Sequence, residues 1–245
     1  ECLAARERVA LFDMTSFGKF EVSGPGALGL LQRVACNNID RPDGSLVYTQ
    51  FLNAHGGIES DLTVCRLATD RFRVITGTSF LSNDLEWVRS HAPADGSVEV
   101  RDVTDDLACI GLWGPDARDV LGQANGDDLS NDAFPYLTAR ELTVAGKPAW
   151  VQRVSYIGEL GWELYLANGD AGTVWDALLE LGQAHGIRPA GYKALDSLRL
   201  EKGYVYWSTD VTPEDNLLEA GMGFCADMAK GDFIGRDALA KRKAD

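Results

Sequence analysis

The sequence predicts an α+β fold built from two related strand–helix subdomains, each a mostly antiparallel sheet with helices packed on it. Three observations carry this. Residues 47–53 and 58–67 are rich in β-branched, aromatic and aliphatic side chains and are separated by Asn53 and the Gly56-Gly57 pair, so they read as a tight antiparallel hairpin. A third strand at 71–76 (RFRVIT) continues the meander before any helix intervenes. The segment Phe20-Glu21-Val22-Ser23-Gly24-Pro25-Gly26-Ala27 has a counterpart in Ile110-Gly111-Leu112-Trp113-Gly114-Pro115-Asp116-Ala117. Each reads as a strand, then Gly-Pro-x-Ala, then an amphipathic helix, and Gly24 and Gly114 stand 90 residues apart. A period that long, occurring twice, indicates a duplicated module rather than a solenoid. We therefore expect subdomain one over about residues 1–96 and subdomain two over about 97–245, with a shared crevice as the natural ligand site.

Taken in order, residues 2–8 read as the end of a helix, and 9–13 and 17–22 as strands. Pro25 suits the first turn of a helix whose apolar side carries Leu28, Leu30, Leu31 and Val34. After Asp43-Gly44 comes the hairpin, then a helix over 80–90 with Leu81, Leu85 and Val88 facing inward. The second half continues with strands at 142–144, 149–154 and 162–166, and a helix over 172–185. Another helix over 192–201 bears Lys193, Arg199 and Glu201 among Leu195, Leu198 and Leu200. The tail is loop-rich from 203 to 215, and 219–224 and 232–243 close the chain.

Composition bounds the function. A chain of 245 residues, 45% hydrophobic, can bury a real core. Its formal charge of −14 argues against nucleic acid, which needs concentrated Lys and Arg. The five cysteines include no CxxC pair, and His55, His91 and His185 are far apart, so no metal site is expected. A reducing compartment fits these thiols, and neither a secretory h-region nor an apolar run near ~18 residues is present. The expected location is cytoplasmic, or the mitochondrial matrix in a eukaryote.

Within the hairpin, the period of two puts Ile58, Ser60, Leu62 and Val64 on one face and Glu59, Asp61, Thr63 and Cys65 on the other. If the loop closes on Ala54 and His55, Tyr48 lies across from Asp61 and Gln50 across from Glu59. One face would then carry a phenol, an amide and two carboxylates. A solvated sheet face shows the same alternation, and pattern alone favours that simpler reading. In the second half, Ser155-Tyr156-Ile157-Gly158-Glu159-Leu160-Gly161-Trp162-Glu163 places an aromatic before a glycine turn and an acid on the returning strand. A buried glutamate there can accept two parallel hydrogen bonds from an amidine-like edge such as that of a pterin; a surface strand residue is the alternative. No dinucleotide or P-loop glycine motif is present.

Leu11-Phe12-Asp13, Val22-Ser23-Gly24-Pro25, Tyr48 with Leu52-Asn53, Gly56-Gly57-Ile58 with Asp61-Leu62, Gly114-Pro115, Tyr156 with Gly158-Glu159, Gly161, Glu163, Leu198-Arg199-Leu200-Glu201, Glu219-Ala220-Gly221 and Phe233-Ile234-Gly235-Arg236 span nearly the whole chain. In these residues the chain resembles the folate-binding domain of the glycine-cleavage aminomethyltransferase (T-protein) superfamily. Within it, Ser16-Phe17-Gly18-Lys19, Tyr48-Thr49-Gln50, Glu59-Ser60-Asp61-Leu62-Thr63 and Glu201-Lys202-Gly203-Tyr204 look most like the domain of dimethylglycine and sarcosine dehydrogenases or oxidases.

The resemblance implies two subdomains around a tetrahydrofolate pocket, followed by a small C-terminal β-barrel and, in the demethylating relatives, preceded by an FAD domain. Both are absent from these 245 residues, so FAD is expected only on a separate domain or subunit, and a flavin dehydrogenase domain or subunit is the expected partner. Carried over by position, Asp61 matches the catalytic aspartate, Tyr48 and Tyr156 match tyrosines lining the folate, Glu163 matches the acid that reads the pterin, and Arg199 matches an arginine near the pocket. Cys65 stands where glycine-cleavage proteins have a tyrosine, Ser16-Phe17 replaces their His-Met pair, and Leu195 replaces a basic residue, all of which weigh against lipoyl-protein aminomethyl transfer. The implied activity is capture of the iminium or formaldehyde released by oxidative demethylation of dimethylglycine or sarcosine, giving 5,10-methylenetetrahydrofolate. A folate-binding or regulatory module without turnover and a glycine-cleavage aminomethyltransferase are the alternatives. The iron–sulfur repair branch is disfavoured, because Lys202-Gly203-Tyr204 lacks its cysteine.

Overall fold

A computed structural model describes residues 1–244; Asp245, the last residue of the expected domain range, lies outside the described residues. The described chain is α+β, with two sheets. It divides into two compact units. One joins Glu1–Ser16 to Thr104–Tyr204, and the other joins Phe17–Val103 to the chain from Val205 onward. The sequence expectation of a single boundary near residue 96 thus gives way to an interleaved division.

The reason lies in two short strands. Strand β1 (Ala10–Asp13) pairs antiparallel with β7 (Leu107–Trp113), while β6 (Glu99–Asp102) pairs antiparallel with β2 (Gly18–Ser23). The strand that leads into each copy of the repeated module therefore belongs to the other copy's sheet.

In the unit containing the hairpin, the sheet runs β3 (Leu46–Leu52), β4 (Ile58–Ala68), β5 (Arg71–Thr76), β2, β6. Helices α2 (Ala27–Val34) and α3 (Leu81–His91) bury Leu30, Leu31, Val34, Leu85 and Val88 in one core with Phe20, Val22, Leu62, Val64, Phe72 and Val74. Leu30, Leu31 and Val34 recur at the helical spacing, which is why this stretch coils rather than extends. The α2 C-terminus is closed by Lys230, whose Nζ donates to the carbonyls of Gln32, Ala35 and Asn37 at 2.6–2.8 Å, placing a cation where the helix dipole is negative. A last helix, α7 (Arg236–Ala244), buries Leu239.

In the other unit the sheet runs β11 (Arg188–Ala190), β1, β7, β10 (Gly161–Ala167), β9 (Lys147–Gln152), β8 (Ala139–Val144), with β11 parallel to β1. Helices α4 (Ala117–Asn125) and α5 (Ala171–Leu181) cover a core of Ile110, Leu112, Val120, Leu121, Val151, Trp162, Leu164, Val174 and Leu178. The remaining helices are α1 (Cys2–Glu7) and α6 (Tyr192–Glu201).

The duplication read from Gly-Pro-x-Ala is present at full length. Each sheet places a β-hairpin first, its third strand next, then the strand of the repeated motif, then the exchanged strand. Gly24 and Gly114 both take positive φ, 108° and 140°. A Cβ at either would collide with a backbone carbonyl, that of Ser97 or of Arg8. These carbonyls also accept the amides of Gly26 and Asp116, at 3.1 and 3.0 Å, so each glycine lets the module's turn lie against the exchanged strand's entry. Strands β6 (EVRD) and β11 (RPA) are too short and polar to announce themselves by periodicity, and only their pairing makes them strands.

Candidate functional site

The hairpin turn is built by Asn53. Its Oδ1 accepts the amides of His55 and Gly57, both at 3.0 Å, and its Nδ2 donates to Glu59 Oε1 at 2.9 Å. Gly56 sits at φ 81°, and its amide reaches the Asn53 carbonyl at 2.9 Å. The left-handed glycine makes the loop one residue longer than a two-residue turn on Ala54 and His55. A second irregularity between Phe51 and Leu52 leaves Glu59 outside the ladder.

The register expected from sequence is corrected accordingly: Gln50 opposes Asp61 and Tyr48 opposes Thr63. The faces themselves are as read. Ile58, Ser60, Leu62 and Val64 are buried, while Glu59, Asp61 and Thr63 retain solvent access; Cys65 departs from the pattern and is fully buried.

On the face that carries Asp61, the buried Gln50 donates from Nε2 to Asp61 Oδ1 at 2.8 Å, and the Tyr48 hydroxyl also hydrogen-bonds this carboxylate. Tyr48 Oη lies 3.5 Å from Met222 Sδ. Burial pushes the Asp61 carboxyl up to about 6; the Tyr48 and Gln50 donors oppose that rise, and the negative charge of Asp84 adds to it. Asp84, on α3, is 1% exposed and accepts from Ser60 Oγ at 2.6 Å and from Thr76 Oγ1. Since Ser60 and Asp61 point to opposite faces, the second carboxylate stands on the core side of the strand that carries the first.

In the other unit, Glu163 on β10 is 7% exposed, and Tyr165 Oη donates to its Oε2 at 2.6 Å. Burial pushes its carboxyl up to about 7, against the lowering effect of that hydrogen bond. Glu163 is therefore not a surface strand residue. Tyr156 lies in the glycine turn before β10, its ring stacked on that of Tyr204 at 6.4 Å between centroids and 27° between planes. Arg199 is buried on α6, where it donates to Asp196 Oδ1 and to the Tyr204 carbonyl, each at 2.9 Å, and so fixes the residue that stacks on Tyr156.

Arg6 holds the same turn from α1, through the Ile157 carbonyl at 2.6 Å and Glu159 Oε1 at 2.8 Å. Sequence reasoning missed Arg6, for which no local signal exists, and gave Tyr204 no role although its Lys-Gly-Tyr motif was visible. The structure thus brings Tyr48 and Asp61 together in one unit and places Tyr156, Glu163 and Arg199 in the other. Asp116, Asp119 and His185 also approach one another, with ligand atoms within 4.8 Å, but Asp116 faces Arg8 at 4.0 Å and His185 bonds Gln123 at 3.0 Å. No helix of the described residues is long and apolar enough to cross a membrane.

Comparison with known proteins gives a consistent answer. The GCVT N-terminal domain family matches residues 1–230. The 4-methylaminobutanoate oxidase (formaldehyde-forming) of Paenarthrobacter nicotinovorans is 44% identical over 239 residues, covering 97% of this chain and 29% of that protein. Mitochondrial sarcosine dehydrogenase of Homo sapiens is 38% identical over 259 residues, covering 100% of this chain and 28% of that protein. The chain spans less than a third of the length of these two relatives. Among solved structures, the glycine cleavage system aminomethyltransferase T from Bartonella henselae superposes with a TM-score of 0.87 at 26% identity, over 99% of this chain and 65% of that one.

Proposed function

This chain belongs to the GCVT N-terminal domain family, and from that premise we propose that it performs tetrahydrofolate-dependent one-carbon transfer. It would take up the formaldehyde or iminium carbon released when an N-methylated amino acid such as sarcosine or dimethylglycine is oxidised, and yield 5,10-methylenetetrahydrofolate. The oxidation itself belongs to an FAD-bearing domain or subunit. The relatives support this donor class: one is a sarcosine dehydrogenase, and another is named as a formaldehyde-forming oxidase of an N-methylamino acid.

The observation that carries the reading is the Gln50–Asp61 pair. A carboxylate with its pKa pushed up to about 6 and one oxygen fixed at 2.8 Å is ionised at neutral pH yet is basic enough to take a proton. Tetrahydrofolate, when bound, would supply two secondary amines to the carbon, with loss of water where the donor is formaldehyde and of the donor amine where it is an iminium. Asp61 accepts the proton released from the reacting amine and stabilises positive charge developing beside it, a contribution of about 10² to 10⁴-fold for a placed acid–base group. Tyr48 and Gln50 orient Asp61. Glu163 accepts hydrogen bonds from the 2-amino and N3–H edge of the pterin, Tyr156 lines the ring, and Arg199 sets the Tyr204 platform. No metal is required.

Calorimetric titration with tetrahydrofolate, followed by rapid mixing of the loaded chain with formaldehyde, tests the proposal. Binding and a capture rate well above the uncatalysed condensation are expected. Absence of binding refutes it.

A further inference from the structure

Gln152 ends strand β9 directly opposite Glu163 on β10. Alternation along β9 sends Ala149 and Val151 into the core under α4 and α5. It turns Gln152 to the other face, the one that carries Glu163 and Tyr165. Gln152 is completely buried, and among the described residues neither its Nε2 nor its Oε1 has a hydrogen-bond partner.

Both ends of one buried amide left open is a costly arrangement, because each group has given up its hydrogen bonds to water and gained none in the fold. Buried polar groups in folded proteins nearly always find a partner, and a persistent exception points to an occupant that supplies one. Ala139, on the far side of Gln152 in the sheet, offers no side-chain donor or acceptor. The polar partner of Gln152 across the ladder is Glu163, whose Oε2 is already engaged by Tyr165.

We propose that the Gln152 side-chain amide is a second recognition group for the reduced pterin, reading the ring edge adjacent to the one that Glu163 reads. This rests on the folate reading above and deepens it. The chemistry is complementary. Beyond the 2-amino and N3–H donors, a tetrahydropterin presents an acceptor followed by a donor on each side, O4 then N5–H or N1 then N8–H. A primary amide offers a donor and an acceptor side by side, so one Gln152 can satisfy either pair. Glu163 alone selects an amidine-like edge, which many heterocycles share. The amide next to it adds a requirement for the acceptor–donor pattern of the reduced ring.

The test is calorimetric binding of tetrahydropterin, the ring without its p-aminobenzoylglutamate tail, to the wild-type chain, to Gln152→Met and to Gln152→Glu. The melting temperature of each unliganded chain is measured alongside. Methionine keeps the shape and removes both polar atoms; glutamate keeps the acceptor and removes the donor. The expected result is a loss of about 10- to 100-fold in ring affinity for Gln152→Met, with an unliganded melting temperature equal to or above that of wild type, because an unsatisfied group has been removed. Gln152→Glu should also bind the ring more weakly.

Wild-type affinity in Gln152→Met overturns the proposal. So does a fall of several degrees in its unliganded melting temperature, which would show that the amide is satisfied within the folded chain or by a held water. A wild-type chain that binds no tetrahydropterin while binding tetrahydrofolate also overturns it. Failure of the wild-type chain to bind either ligand removes the folate reading itself, so the two failures are distinct.

Discussion

Gln50 and Asp61 are directly opposed residues of β3 and β4, and the Gln50 amide donates to Asp61 Oδ1 at 2.8 Å. Together with the Tyr48 hydroxyl, this contact favours an ionised carboxylate in a place where burial would rather have it neutral. The Asp61 pKa rises from an ordinary 3.8 to about 6, chiefly by desolvation. The native state therefore holds this proton more tightly than the unfolded chain does. Stability falls as pH rises from about 4 to about 6 and stays reduced above that, by an amount on the order of 3 kcal/mol at most. Asp61→Asn removes the charge and should raise the melting temperature at pH 8 by several degrees, with little gain at pH 4. Its one-carbon capture should fall about 10² to 10⁴-fold while folate still binds. Differential scanning calorimetry at the two pH values, with single-turnover capture, checks both. An equal shift at both pH values would place the gain outside Asp61 ionisation.

The same pair predicts a pH profile. On the proposed role of Asp61 as the proton acceptor, the capture rate should rise about tenfold per pH unit below 6 and level off above. The Gln50 donor favours the charged form, and removing it should move the midpoint upward. Stopped-flow capture by Gln50→Leu should show the ascending limb displaced to higher pH; a midpoint that stays put or falls would separate Gln50 from the titration.

Much of this site is legible in the sequence, and the parts that are not have identifiable causes. Asn53 and the two glycines announce the hairpin, and alternation gives the correct faces of β4. The register escapes because the left-handed turn at Gly56 and the irregularity at Phe51/Leu52 each displace the pairing, and neither has a signal independent of the fold. The exchange of β1 and β6 escapes because a four-residue polar strand becomes one only by joining a sheet. Arg6 and Gln152 are single residues without periodicity, and their importance comes from what surrounds them once β9, β10 and α1 are in place.

Glu163 titrates in the range where the ligand would meet it. Its pKa is raised to about 7 by burial, and a carboxylate accepting two hydrogen bonds binds best when ionised. Tetrahydrofolate affinity should therefore strengthen as pH rises through 7 and level off above it, and binding at pH 6.5 should release protons. Calorimetry in two buffers of different ionisation enthalpy reads the release directly. Glu163→Gln should abolish the pH dependence and weaken binding; a retained proton release in that variant would assign it elsewhere.

The hairpin's closeness to the C-terminal segment sets the last expectation, a pair of identical substitutions with opposite outcomes. Gly57 bridges to Asn216, and its amide is held by Asn53 Oδ1 at 3.0 Å. A Cβ there would collide with the Pro213 carbonyl, which is backbone and cannot rotate away. Gly57→Ala must push apart the turn and residues 213–216, a cost of about 1–3 kcal/mol or more. Because the turn fixes the register of β3 against β4, the distortion also reaches Gln50 and Asp61, and capture should fall along with stability. Gly29, in contrast, is exposed in the first turn of α2, with no described residue outside that helix's own backbone within 4 Å of an added Cβ. Gly29→Ala should stabilise by about 0.5–1 kcal/mol through reduced backbone entropy in the unfolded chain and leave capture unchanged. Urea unfolding of both variants reads the two signs side by side, and a Gly57→Ala chain with wild-type stability and capture would mean that the hairpin does not need this close approach.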